Sequence, residues 1–149
     1  MRFYEFESKK LFGMKGIPLP SGSRVAKSAA EAKEIAAGIG GPVVLKSQVL
    51  SGGRMKAGGV LFADTPDEAV DAAEKILALE INGHAPVGVL VEGRAPIDQE
   101  YYVGVTWDGF ARQPVMIFSD MGGIDIEEVA EKHPEHSAKR NFSALAPFS

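Results

Sequence analysis

The stretch Val43-Val-Leu-Lys46-Ser-Gln-Val-Leu-Ser-Gly52-Gly53-Arg54-Met55-Lys56-Ala-Gly58-Gly59-Val60 decides the fold. A β-rich segment ends in a lysine, runs into a basic glycine-rich loop and emerges as a second β-rich segment. Glycine takes positive φ without a Cβ penalty, so Gly52, Gly53, Gly58 and Gly59 let the backbone turn tightly and lie close against a ligand. Peptide N–H groups in such a turn can face phosphate oxygens, and Lys46, Arg54 and Lys56 add positive charge beside them. This order differs from the nucleotide loop Gly-x-x-x-x-Gly-Lys-Ser/Thr followed at once by a helix, and no such string occurs in the chain. Residue types alone leave two readings open: a mobile hairpin loop without a ligand, and a phosphate cradle.

On the N-terminal side, Phe3, Phe6, Leu11 and Phe12 stop short of Gly13, Gly16 and Pro18, which predicts a short helix over 4–12 that packs as an anchor. Ser28-Ala-Ala-Glu31 is a capping-box pattern ahead of an alanine-rich helix running to Gly38. Thr65-Pro66-Asp67-Glu68 repeats the signal, with proline at the first helical position. Ala69, Ala72, Ala73, Ile76, Leu77 and Leu79 then form one apolar stripe, and the helix is expected to end near Asn82-Gly83. Strand-like content marks 42–46, 59–62, 87–92, 100–106 and 115–118, and a short helix is expected over 126–131. Trp107-Asp108-Gly109 reads as a hairpin turn because Asp-Gly supplies positive φ. Helices interleaved unevenly with strands predict an α+β fold with a largely antiparallel sheet flanked by helices. No internal repeat or low-complexity segment is present, and the tail 141–149 has no periodicity, as though the architecture stopped midway.

Composition bounds the function classes. The 149 residues suit one domain or two small lobes, with 45% hydrophobic and 24% charged residues, both ordinary globular values. A net charge of −4 argues against nucleic acid as the main partner, since backbone phosphates are bound by basic surfaces. With no cysteine there is no disulfide framework and no thiolate chemistry, which fits a cytoplasmic location. The polar start predicts no signal peptide, and no apolar run approaches the roughly 20 residues of a membrane-spanning helix.

Three stretches, in order, resemble the N-terminal ATP-grasp portion of the β subunit of succinyl-CoA synthetase and the related nucleoside-diphosphate-forming acyl-CoA ligases, malate-CoA ligase and citryl-CoA synthetase among them. They are 4–12 with Gly16-Ile17-Pro18-Leu19-Pro20, then 46–60, then Gly122-Gly-Ile-Asp-Ile-Glu-Glu-Val-Ala130 with Pro134 following. The resemblance implies an ATP-grasp N-terminal lobe cut before the second lobe is complete. It divides the chain into an anchor (1–20), a nucleotide-binding lobe (21–105) and the start of a second lobe (106–149).

It also implies roles. Lys46 contacts nucleotide phosphates, the backbone of Gly52, Gly53 and Arg54 folds over them, and Glu92 and Glu100 meet the adenine and ribose; by residue type alone these two carboxylates are solvated surface groups. The implied ligands are ATP/ADP or GTP/GDP. Mg2+ is expected to be held outside this chain, and no metal site or catalytic residue is assigned within it. The implied activity is the reversible joining of a carboxylic acid to CoA at the expense of ATP or GTP, a tricarboxylic acid cycle type of step. The implied partners are an α subunit carrying the CoA and phosphohistidine sites and the missing second ATP-grasp lobe, with a homo-oligomer as a further expectation. A non-catalytic regulatory or assembly module derived from the lobe is the alternative.

Two positions depart from the family pattern: Met55 stands where a third glycine is usual, and Met121 where an acid is usual. Asp125, Glu127 and Glu128 sit at an expected helix start, where acids are ordinary dipole partners. His84 is expected in a solvated loop, and His133 with His136 flank Pro134 and lack a third ligand. Trp107 and the other aromatic residues are expected as core or hairpin anchors.

Overall fold

The hydroxyl signals in the sequence become helix starts. Ser28 Oγ accepts from the Glu31 amide at 3.2 Å at the head of α2 (Ala29–Ile39), and Thr65 Oγ1 accepts from the Glu68 amide at 3.2 Å at the head of α3 (Pro66–Leu77). The returning carboxylates reach one residue further back than a capping box requires. Glu31 takes the Lys27 amide and Glu68 the Asp64 amide, each at 2.7 Å. Helix α2 runs through Gly38 and ends on Gly40, whose φ of 74° is left-handed.

Helix α3 stops at Leu77, short of its expected end. Asn82-Gly83 forms instead a two-residue turn with φ of 51° and 78°, closed by an Ile81–His84 bridge. Asn-Gly is the favoured pair for such a turn, and its local chemistry outweighs the continuing apolar stripe.

The computed structural model describes residues 2–123 and 126–146. Asp125, expected at a helix start, and Pro147 in the tail lie outside the described residues. The chain divides into two units, Met1–Ala95 and Pro96–Ser149.

In the first unit, β1 (Arg24–Ala26), β2 (Val43–Ser47), β3 (Val60–Ala63) and β4 (Val89–Gly93) form a sheet in the order β1-β4-β2-β3, with every neighbour antiparallel. Helix α2 packs on β1 and β4, α3 on β2 and β3, and the two helices on each other. Ala32, Ala36, Ala69, Ala72 and Ala73 are small enough to bring the helices close. Ile35, Ile76, Val43, Leu45, Val89 and Val91 fill the space between helices and sheet. Helix α1 (Glu5–Met14) ends on Gly16 at φ 78°, with the Ile17 amide bonded to Phe12 O and the Gly16 amide to Gly13 O. None of its residues is buried.

In the second unit, β5 (Tyr102–Asp108), β6 (Gln113–Ser119) and β7 (Ser137–Asn141) form a three-stranded antiparallel sheet, accompanied by α4 (Ile126–Lys132) and a single 3-10 turn at Pro134–His136. The turn after β5 is made by the Asp108 carboxylate, which accepts from the Phe110 and Ala111 amides at 2.9 Å; the positive φ falls on Arg112, at 53°, and not on Gly109. These amide donors, with Asn141, hold the Asp108 carboxyl below its ordinary range. Trp107 is exposed on β5 opposite Pro114, a departure from the expected anchor. It shares a face with Val103 and Val105, also exposed, and Tyr101 stacks on Phe118 at 5.8 Å.

Candidate functional site

In β2, Val43, Leu45 and Ser47 alternate toward the helices, so the pleat turns Val44 and Lys46 to the other face. In β4 the same alternation turns Leu90 and Glu92 to that face. Lys46 pairs with Leu90 and Val44 with Glu92 in the register, which makes Lys46 and Glu92 diagonal neighbours. Helix α1 supplies the rest of the site from this side.

The Glu92 side chain is 0% exposed. A buried carboxylate is costly unless paired and hydrogen-bonded, and this one is both. Lys9 Nζ donates to both oxygens at 2.5 Å, Ser23 Oγ donates to Oε1 at 2.7 Å, and Lys46 Nζ lies 3.0 Å from Oε2. Glu5 makes a second junction. Its Oε1 takes Lys46 Nζ at 3.0 Å, and its Oε2 takes Arg54 Nη1 at 2.8 Å; Arg54 Nη1 also donates to Ser47 O at 3.1 Å. Lys9 Nζ stands 3.3 Å from Glu5 Oε1. Three cations and two carboxylates leave one net positive charge.

The charges hold one another ionised. Burial acts to raise the Glu5 carboxyl, but Lys46 and Arg54 outweigh it and hold Glu5 below its ordinary value. Burial likewise opposes ionisation of Glu92, and Lys9, Ser23 and Lys46 bring it below the usual carboxylate range. Burial disfavours the Lys46 ammonium, yet Glu5 and Glu92 raise its pKa above the usual lysine value.

Beyond Lys46 the glycine-rich loop folds on itself. Gly53 and Gly58 take φ of 77° and 75°, and the Ala57, Gly58 and Gly59 amides bond Gly53, Met55 and Arg54 carbonyls at 3.0, 3.1 and 2.7 Å. Asn82 Nδ2 ties the loop to its own turn through Ser51 Oγ and Gly52 O, at 2.8 and 3.1 Å. Gly52 and Gly53 are exposed, with open space where a Cβ would lie. Met55 is 73% exposed and is not among the positive-φ residues, so its side chain adds no left-handed strain to the loop.

The structure therefore brings Lys46, Arg54 and Glu92 together, with Gly52 and Gly53 in the adjoining loop. Glu100 belongs to the second unit, where it is exposed. Its carbonyl accepts from the Gly122 amide at 3.0 Å, and a Cβ on Gly123 would come within 2.6 Å of its Oε2. The glycine pair thus makes room for Glu100. Residues that reasoning from sequence missed are Glu5, Lys9, Ser23, Gln48 and Asn82. The buried Gln48 accepts from the Phe6 amide through Oε1 at 3.2 Å and donates through Nε2 to Lys46 O at 3.1 Å. Only the i, i+4 spacing of Glu5 and Lys9 signals their pairing.

In the second unit His136 Nδ1 lies 2.8 Å from Asp120 Oδ1 and the His133 ring meets His136 edge-on at 6.3 Å. Among the described residues no group of three or more His, Asp or Glu side chains is placed to hold a metal ion. No described helix is long and apolar enough to cross a membrane.

A family model of the ATP-grasp domain matches residues 2–148. The chain is 43% identical over 148 residues to the succinate–CoA ligase [ADP-forming] subunit beta of Methanocaldococcus jannaschii, covering 99% of this chain and 40% of that protein. It is 50% identical over 145 residues to subunit beta 1 of the same ligase from Archaeoglobus fulgidus, covering 97% and 38%. A similar solved structure is an acetyl-coenzyme A synthetase from Ca. Korarchaeum cryptofilum in complex with coenzyme A and Ca-AMPCP, with a TM-score of 0.73, 28% identity, and 99% and 61% of the two chains covered. The chain spans about two fifths of the length of the curated relatives it matches.

Proposed function

The chain belongs to the ATP-grasp family, and from that premise we propose that it is the nucleotide-binding part of an acyl-CoA ligase of the succinate–CoA type. The reaction joins a carboxylate to CoA while ATP or GTP becomes the diphosphate and phosphate. The observation that carries the reading is the convergence of Lys46 and Arg54 on one side of the sheet, beside an exposed loop whose Gly52 and Gly53 leave space for a ligand. Phosphoryl transfer depends chiefly on positioning and on neutralising charge over the transferring oxygens. A strand lysine, a loop arginine and close-lying glycine backbone supply both.

In this proposal Lys46 and Arg54 meet the phosphates, and the Gly52–Gly53 backbone lies against them. Glu92 and Glu100 serve the purine and ribose end. Glu92 holds Lys9, Lys46 and Ser23, so a direct ribose contact requires it to exchange a partner. Mg2+ is proposed to be held by ligands outside this chain. An α subunit with the CoA and phosphohistidine sites and a second ATP-grasp lobe are the proposed partners, in the cytoplasm. A homo-oligomer is a further proposal.

Calorimetric titration with ADP and ATP, with and without magnesium, tests the reading. Saturable binding that weakens at least about tenfold in Lys46→Ala, the scale of a lost charge-assisted contact, is the expected result. Equal affinity in the two proteins overturns the role given to Lys46.

A further inference from the structure

We propose that Glu5 is a positioning residue for this nucleotide site: its one carboxylate sets the spacing of Lys46 and Arg54 and holds the glycine-rich loop ready for a polyphosphate. This rests on the nucleotide reading of the first unit.

The two cations differ in how the fold fixes them. Lys46 is set in the middle of the sheet by its register with Val60 and Leu90. Arg54 projects from a loop that lies between β2 and β3, and a long guanidinium side chain loses rotamer freedom when it is held in place. Glu5 supplies that constraint, joining Arg54 Nη1 at 2.8 Å to Lys46 Nζ at 3.0 Å, while Ser47 O takes the same Arg54 nitrogen at 3.1 Å.

Glu5 is itself well placed as a fixed point. It is the first residue of α1, Glu7 takes the Tyr4 amide at 2.9 Å, and the Phe6 amide is bonded to the buried Gln48, two residues beyond Lys46. These polar contacts and the Lys9–Glu92 pair join α1 to the sheet.

The stoichiometry separates positioning from blocking. An ammonium carries three donors, and Lys46 pairs with two carboxylates. A guanidinium carries five donors on three nitrogens, and Glu5 engages Arg54 through Nη1. Donors on both cations are left for an anion, and the cluster keeps a net charge of one positive.

The test compares the full chain with Glu5→Gln, Glu5→Asp, Lys46→Ala and the Glu5→Gln/Lys46→Ala pair, by calorimetry with ADP and by hydrogen exchange of the Ala57, Gly58 and Gly59 amides. Glu5→Gln is expected to weaken ADP about tenfold, the effect of losing charged hydrogen bonds, while the sheet amides stay protected. The three loop amides exchange faster, and Lys46→Ala costs less affinity in the Glu5→Gln background than alone. Glu5→Asp keeps the charge but is one methylene short of the bridge, so it follows Glu5→Gln and carries the same test if that variant does not fold.

Unchanged or tighter ADP binding in Glu5→Gln overturns the proposal, as does unchanged loop exchange. Wild-type chain that binds no ADP overturns the nucleotide reading, and with it Glu5's service to a nucleotide. Faster loop exchange in Glu5→Gln would in that case uphold the bridge alone.

Discussion

The two faces of the four-stranded sheet are built differently. One carries Val43, Leu45, Val89 and Val91 and is sealed by alanine-lined helices α2 and α3. The other sets Lys46 and Glu92 beside Val44 and the buried Leu90, and α1 meets it through Glu5, Lys9 and the Phe6 amide. The difference teaches how stability and chemistry divide in one thin layer. Apolar burial is non-directional and tolerates only close packing, whereas a charged face keeps ionised groups poised at fixed distances and stays sensitive to their removal.

The sharpest way to break this comparison is to hollow out the apolar face. Ile76→Ala, at a fully buried position, is expected to lower stability by about 2–5 kcal/mol through lost burial and a residual cavity. Urea denaturation checks it, and a loss smaller than about 1 kcal/mol would mean that the helices close over the gap or that the charged face carries the unit.

Gly59 lies where the loop returns to the sheet. A Cβ there meets Ser47 Oγ and stands 3.0 Å from both Arg54 O and Ile81 Cδ1. Gly59→Ala is therefore expected to cost about 1–3 kcal/mol as an overpacked site. Thermal melting reads that cost, and calorimetry with ADP shows whether nucleotide affinity changes with it.

Acid and alkali probe the charged face. Glu5 and Glu92 have pKa values below the ordinary 4.5, so the stability they contribute is present above that pH and is lost as pH falls through their lowered values. Lys46 is raised above 10.5, so its contribution is complete below that pH and is lost as pH rises through the raised value. Protection of the α1 amides against hydrogen exchange, corrected for the intrinsic pH dependence, should therefore fall at the acid and alkaline ends while the Ala36, Ala72 and Ala73 amides of α2 and α3 stay protected. Simultaneous change in all three helices would join the two faces into one cooperative unit.

The smallest effect is expected at Met55, exposed at the loop. Met55→Gly should change stability by less than about 1 kcal/mol, the entropy scale of an added glycine, and leave ADP affinity in place.

Much of this was legible before any fold was known. Ser28 and Thr65 announced helix starts because a side-chain oxygen facing an amide three residues on is local chemistry. The glycines and Lys46 marked the loop, and the antiparallel α+β pattern and ATP-grasp membership were carried by residues in chain order. Local signals failed where elements are short or polar: β1 has three residues, and β7, Ser-Ala-Lys-Arg-Asn, lacks the apolar alternation that marks a half-buried strand.

The sequence by itself determined the helices with hydroxyl caps, the apolar stripe of α3 and the glycine-rich loop, since each depends on residues a few positions apart. Only the tertiary structure decided that Glu5 and Lys9 meet Lys46, Arg54 and Glu92. These pairs are separated by 41 to 83 residues. No local preference specifies such a meeting; it follows from strand register, which sets Lys46 and Glu92 on one face, and from the docking of α1 against it.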